Sequence, residues 1–158
     1  MAVVTDRRRN GERHSRDDVA KYDNYVMDPT ALTEMVDRVF DDRYRIESLV
    51  GVGHISAVFS AFDQAEDRSV ALKVFDAGLA GDEGFVERLL EAAELASVLN
   101  HPNIVEIYDW GVDGGPYIVS ELCEGGSLAA LLEEGNRLAT SQALVVTLAC
   151  ARAMNYGH

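Results

Sequence analysis

Few side chains in this sequence are spaced for chemistry. Gly51-Val-Gly53 separates two stretches of β-type alternation, and glycine there lets a backbone turn tightly and approach a ligand closely. A dinucleotide loop opens a helix and a Walker-type loop needs Gly-Lys-Ser/Thr; here a strand follows and no Gly-Lys occurs. Taken alone, the pair reads as a hairpin turn. Lysine occurs only at Lys21 and Lys73, against twelve arginines. The main body therefore holds one compact ammonium where a guanidinium would be the usual choice. Cys123 and Cys150 stand 27 apart with no CxxC, which indicates neither a zinc site nor a disulfide framework and fits a reducing, cytoplasmic setting. Serine, histidine and acidic residues are present without nucleophile-elbow or metal-ligand spacing, which argues against hydrolase and metalloenzyme readings and leaves no metal ligand to name.

The elements that must position these groups follow from periodicity. The 158 residues carry 27 acidic against 14 basic side chains, a net charge of −13. Residues 41–158 hold 19 acidic and 7 basic of these, a balance that repels polyphosphate and makes nucleic acid a poor partner. No apolar run is long enough to span a membrane, and the arginines after the short apolar start do not make a secretory signal. Residues 1–27, with Arg7-Arg8-Arg9, read as a mobile polar tail. Asp28-Pro29 then reads as an N-cap and first helical residue, with Leu32, Met35, Val36 and Val39 at helical spacing. Three strands follow, Tyr44–Val50, Ala57–Phe62 and Ser69–Phe75, the first broken by Gly51-Val-Gly53. A helix over Asp82–Leu99 carries one apolar face, Phe85, Val86, Leu89, Leu90, Ala93 and Ala96. Ile104–Trp110 and Tyr117–Leu122 form a hairpin around Asp113-Gly-Gly115. Ser127 and Thr140 are positioned to cap two closing helices, Leu128–Glu134 and Ser141–Tyr156.

The ordered set resembles the N-terminal lobe of protein kinases, and most closely the bacterial eukaryotic-like (Hanks-type) serine/threonine kinases. Its members are Asp42-Arg-Tyr-Arg-Ile46, Gly51-Val-Gly53-His-Ile-Ser56-Ala-Val58, Val70-Ala-Leu-Lys73, His101-Pro-Asn-Ile-Val105, Tyr117-Ile-Val-Ser-Glu121 and Glu124-Gly-Gly-Ser-Leu128. The resemblance covers about residues 40–158. It implies an α+β fold, with a five-stranded antiparallel sheet, one packed helix and two helices of an incomplete second lobe. It further implies ATP as ligand, with Mg2+ only in a complete enzyme. Gly51 and Gly53 would bring loop amides to the phosphates, with Ser56 where many kinases have a third glycine. Val50, Val58 and Ala71 would roof the adenine, and Lys73 would hold the α- and β-phosphates. Ser120 would be a small gatekeeper, and Glu121 and Cys123 would offer hinge backbone groups.

Two departures qualify that picture. The helix position where these kinases carry a lysine-pairing glutamate holds Ala92, with Glu91 one residue early and Glu94 two late. At 3.6 residues per turn both are rotated away from Lys73, and both read as solvated acids. The second departure is that the chain stops at His158, before any catalytic loop or Asp-Phe-Gly motif. The expectation is therefore a chain inactive by itself, the ATP-binding portion of a kinase that phosphorylates protein hydroxyls when complete. Its organisation reads as a tail with a candidate short helix over 1–40, an N-lobe and hinge over 41–124, and the start of a second lobe over 125–158. The alternatives are a pseudokinase-like interaction module, engaging a protein partner through an exposed face of helix 141–156, and a truncated reading frame.

Overall fold

The computed structural model describes residues 22, 27–133 and 137–157. The chain order is helix α1 (Pro29–Glu34), strands β1 (Val39–Phe40), β2 (Tyr44–Val52), β3 (Ser56–Asp63) and β4 (Arg68–Phe75), a 3-10 turn (Ala77–Gly81), helix α2 (Glu83–Ser97), strands β5 (Ile107–Val112) and β6 (Pro116–Glu121), then helices α3 (Leu128–Glu133) and α4 (Thr140–Tyr156). The strands form one antiparallel sheet in the order β1-β2-β3-β4-β6-β5.

The sheet thus has six strands rather than the five expected. The additional one, β1, lies in what read as a continuing helix. Asp28 does cap α1, its carboxylate accepting from the Thr30 amide at 2.8 Å, but Asp37 adopts a φ of 66°. That left-handed turn, which aspartate tolerates better than most residues, ends the helical path. Val39 and Phe40 then pair with Arg45 and Tyr44. α1 also buries Leu32 in the core beside Ile46, Phe59 and Leu72, so α2 is not the only helix packed on the sheet. Ala139, not Thr140, occupies the N-cap of α4, and its N–H donates to Gln142 Oε1 at 2.9 Å. Ser127 does cap α3, accepting from the Ala130 amide at 3.0 Å. The tail reading lies outside the described residues except at Tyr22 and Met27. There it needs correction, because the Tyr22 ring meets Phe85 edge-on at 5.6 Å.

Strand alternation places the core on one face. Ala57, Phe59 and Ala61 of β3, Val70, Leu72 and Val74 of β4, and Tyr117 and Val119 of β6 all point inward. The sheet curls until its ends meet. Arg43, just before β2, donates through Nε and Nη2 to Asp63 of β3 at 2.7 and 2.8 Å and through Nη1 to Asp109 of β5 at 3.0 Å. The Tyr44 hydroxyl donates to the same Asp109 oxygen at 2.6 Å. Asp63 is fully buried, and hydrogen bonding from the Arg43 guanidinium holds its carboxyl below the usual range. Burial, reinforced by hydrogen bonds to Asp109 and Asp41, pushes the phenols of Tyr44 and Tyr117 well above theirs.

Candidate functional site

The opposite face of the sheet carries the residues singled out from sequence. The pairing register aligns Gly51 with Val58, Val58 with Lys73 and Lys73 with Ile118, one row across β2, β3, β4 and β6. The next row aligns Ser60, Ala71 and Ser120. Val58, Ala71, Lys73 and Ser120 alternate with the buried residues and are each half-buried, so they share one open, largely apolar surface with a single ammonium in it. Ile118, not singled out from sequence, completes the row; only the strand register reveals it.

The β2–β3 hairpin lies at the edge of this surface. Gly51 is still within β2, so the glycines do not break the strand as expected. A slip in register between Leu49 and Gly51 leaves Val50 in a bulge, 58% exposed, a geometry that re-aims a side chain. The Gly53 amide donates to the Ser56 carbonyl at 2.7 Å. A β-carbon at Gly53 would meet that oxygen at 3.2 Å, whereas one at Gly51 would meet nothing within 4 Å. Ser56 is buried, with its Oγ 3.5 Å from the same Gly53 position. A small residue is therefore enough there. The hairpin is tight at Gly53 and open at Gly51.

Lys73 has an unusual environment. Burial lowers its pKa below the ordinary lysine value, and among the described residues no carboxylate lies within ion-pairing distance of it. Helix α2 turns Ala93 inward, while Ala92, Glu91 and Glu94 are exposed. The described neighbour of the ammonium is the Phe75 ring, with its centre 5.1 Å from Nζ. Sequence reasoning missed Phe75 because it read as one more apolar residue ending a strand.

At the far edge, Glu121 ends β6 and its N–H donates to the Glu106 carbonyl at 2.9 Å. Cys123 is exposed, and among the described residues its amide has no hydrogen-bond acceptor. The β-strand surface ends at Ser120–Cys123. Beyond it opens a cleft of about 400 Å³, lined by Pro102–Val105, Gly125–Leu128 and Val146, Ala149 and Cys150 of α4. Glu121 and Cys123 line it too, whereas Val58, Ala71 and Lys73 lie on the open face of the sheet and not in this cavity. His101 fixes the segment above the cleft, its Nδ1 accepting from the Asn103 amide at 3.1 Å and its ring 5.2 Å from that of Tyr156 on α4. Among the described residues no group of three or more His, Cys, Asp or Glu is placed to hold a metal ion, and no helix is long and apolar enough to cross a membrane.

Comparison with known proteins agrees with this geometry. Residues 44–158 match the protein kinase domain model. The chain is 38% identical over 74 residues to the serine/threonine-protein kinase PrkC of Bacillus subtilis, which covers 47% of this chain and 11% of that protein. It is 43% identical over 67 residues to the serine/threonine-protein kinase PknB of Mycobacterium leprae, 42% of this chain and 11% of the relative. Among solved structures, the PknI kinase domain of Mycobacterium tuberculosis superposes with a TM-score of 0.69 at 25% identity, covering 78% of this chain and 50% of that one. The chain therefore spans about a tenth of the length of these two curated relatives and half of the solved domain.

Proposed function

Given that this chain belongs to the protein kinase domain family, we propose that it forms the ATP-binding part of a cytoplasmic serine/threonine kinase, with Lys73 as its phosphate-positioning residue. The observation that carries this reading is the single row Gly51, Val58, Lys73 and Ile118, which sets an ammonium directly across from a roof residue and in line with an open hairpin. Val50, Val58 and Ala71 would cover the adenine. The carbonyl of Glu121 and the amide of Cys123 would meet its edge, and Ser120 would leave space behind it. The residues fit a nucleotide on physical grounds. The position at Gly51 is open to a phosphate, and a half-buried amine without a carboxylate partner among the described residues keeps its charge for an anion.

ATP bound here would supply the transferable phosphoryl group. The chain's own contribution is to bind and orient it: apolar residues keep water from the base, hairpin amides face the phosphates and Lys73 neutralises their charge. Mg2+ and the general base belong, in this reading, to a second lobe for which α3 and α4 form the start. The boundaries we assign are 1–40 for the tail, 41–124 for the lobe and hinge, and 125–158 for the second-lobe portion.

Thermal unfolding with and without millimolar MgATP tests the proposal. A nucleotide-dependent rise in Tm that Lys73→Ala removes is the expected result. A rise of the same size in the variant would overturn the role of Lys73.

A second reading has its own observation. On α4, Leu144, Val145 and Leu148 are 65%, 68% and 51% exposed. A face of this kind favours a protein-interaction module that docks through Thr140–Tyr156.

A further inference from the structure

Lys73 and Phe75 lie two residues apart on one face of β4, and the ammonium sits 5.1 Å from the ring centre. Phe75 is itself buried. Its ring meets Phe85 of α2 edge-on, centres 5.6 Å apart at 67°. Phe85 meets Tyr22 in the same manner at 5.6 Å and 61°, and the Tyr22 hydroxyl accepts from Arg88 Nη2 at 3.4 Å. Three rings therefore run without a gap from the segment preceding α1, across the first turn of α2, to the amine. No described carboxylate pairs with that amine, and Ala92 stands where one was expected.

We propose that Phe75, braced by Phe85 and Tyr22, is the positioning residue for Lys73, taking the orienting role that Ala92 leaves empty. The face of an aromatic ring attracts a cation through its quadrupole, so it can hold an ammonium in place without neutralising it. A carboxylate would share the charge; a ring leaves all of it for the ligand. The bracing also explains why the ring keeps its place. Phe75 packs edge-on against Phe85, and Phe85 in turn against Tyr22. Tyr22 thereby bears on the site through α2. The purpose of this arrangement rests on the phosphate-binding reading of Lys73, but its geometry does not.

The scarcity of lysine makes the test direct. In a Lys21→Arg background, reductive methylation with 13C-formaldehyde labels Lys73 and the N-terminal amine alone. The Lys73 methyl resonance is expected upfield of an exposed methyl-lysine through the ring current of Phe75. It should return to the exposed position in Phe75→Leu, stay upfield in Phe75→Tyr, and move part of the way back in Tyr22→Ala. Unlabelled Phe75→Leu should bind MgATP about fivefold more weakly, with Phe75→Tyr restoring the affinity. A Lys73 signal at the exposed position in the unsubstituted protein overturns the proposal, even where Phe75→Leu does not fold. So does a signal that Phe75→Leu leaves unmoved. An upfield signal together with MgATP binding that is indifferent to Lys73→Ala would instead sustain the ring contact and refute the phosphate reading.

Discussion

Replacing Asp63 by Asn tests the claim that one buried carboxylate anchors the arginine that closes the curled sheet. Asp63 has no exposed surface and accepts from Arg43 Nε and Nη2, and from the amides of Ala65 and Glu66 at 3.1 and 3.4 Å. Asparagine keeps the shape but turns one acceptor into a donor facing the guanidinium. Breaking a buried ion pair from one side costs about 3–5 kcal/mol. Here Arg43 is 31% exposed and keeps Asp109 at 3.0 Å, which argues for the low end, about 3 kcal/mol. For a chain of this size that corresponds to a fall in Tm of about 6–12 °C. The pH dependence has a definite sign. The folded-state pKa of Asp63 is depressed, so its contribution is fully present above the unfolded-state value of about 3.9 and is lost as pH falls through the lower, folded-state value. Urea unfolding of both proteins should show a constant difference from pH 8 to pH 5 that narrows towards pH 3. A difference below about 1 kcal/mol at pH 7, or one that persists undiminished at pH 3, would refute the assignment of that energy to charge.

Two further outcomes are expected. Gly115→Ala places a β-carbon 3.0 Å from the Phe75 carbonyl oxygen and should cost about 1–3 kcal/mol by overpacking, while Gly51→Ala, which meets nothing within 4 Å, should stay within about 0.5 kcal/mol of the parent in the same denaturant titration. Leu144→Glu combined with Leu148→Glu, both at exposed positions, should abolish any concentration-dependent association seen by sedimentation velocity with little change in Tm; association that survives the pair would place the contact elsewhere.

Much of the fold was legible because the signals were local. β3 from Ala57 to Asp63 and β4 from Val70 to Val74 follow the period-two rule, and Asp28, Ser127 and Asp113-Gly-Gly115 have the cap and turn chemistry their types imply. β1 was not legible, because Val39 continues a helical spacing and only the left-handed Asp37 redirects the chain. Nothing local marks Asp63, since its main partner, Arg43, lies 20 positions away and Asp109 of the same network 66 from Arg43. Phe75 was missed for a related reason. Periodicity puts its partner Phe85 on the apolar face of α2 but does not say which strand residue that face meets, and Tyr22 lies in a polar stretch with no period at all. The residues of the sheet surface could be named from their order along the chain, but their alignment in one row depends on the bulge at Val50, which shifts register by a residue.

Two-residue β1 has a further effect at the rim of the sheet. An outer strand with free amides and carbonyls is a template for another chain. Val39 and Phe40 pair only with Arg45 and Tyr44, so among the described residues the border of β2 from Glu47 to Val52 has no strand beside it, while on the other side α2 lies against β5. The brevity of β1 thus leaves two surfaces for assembly, the far half of β2 and the apolar flank of α4.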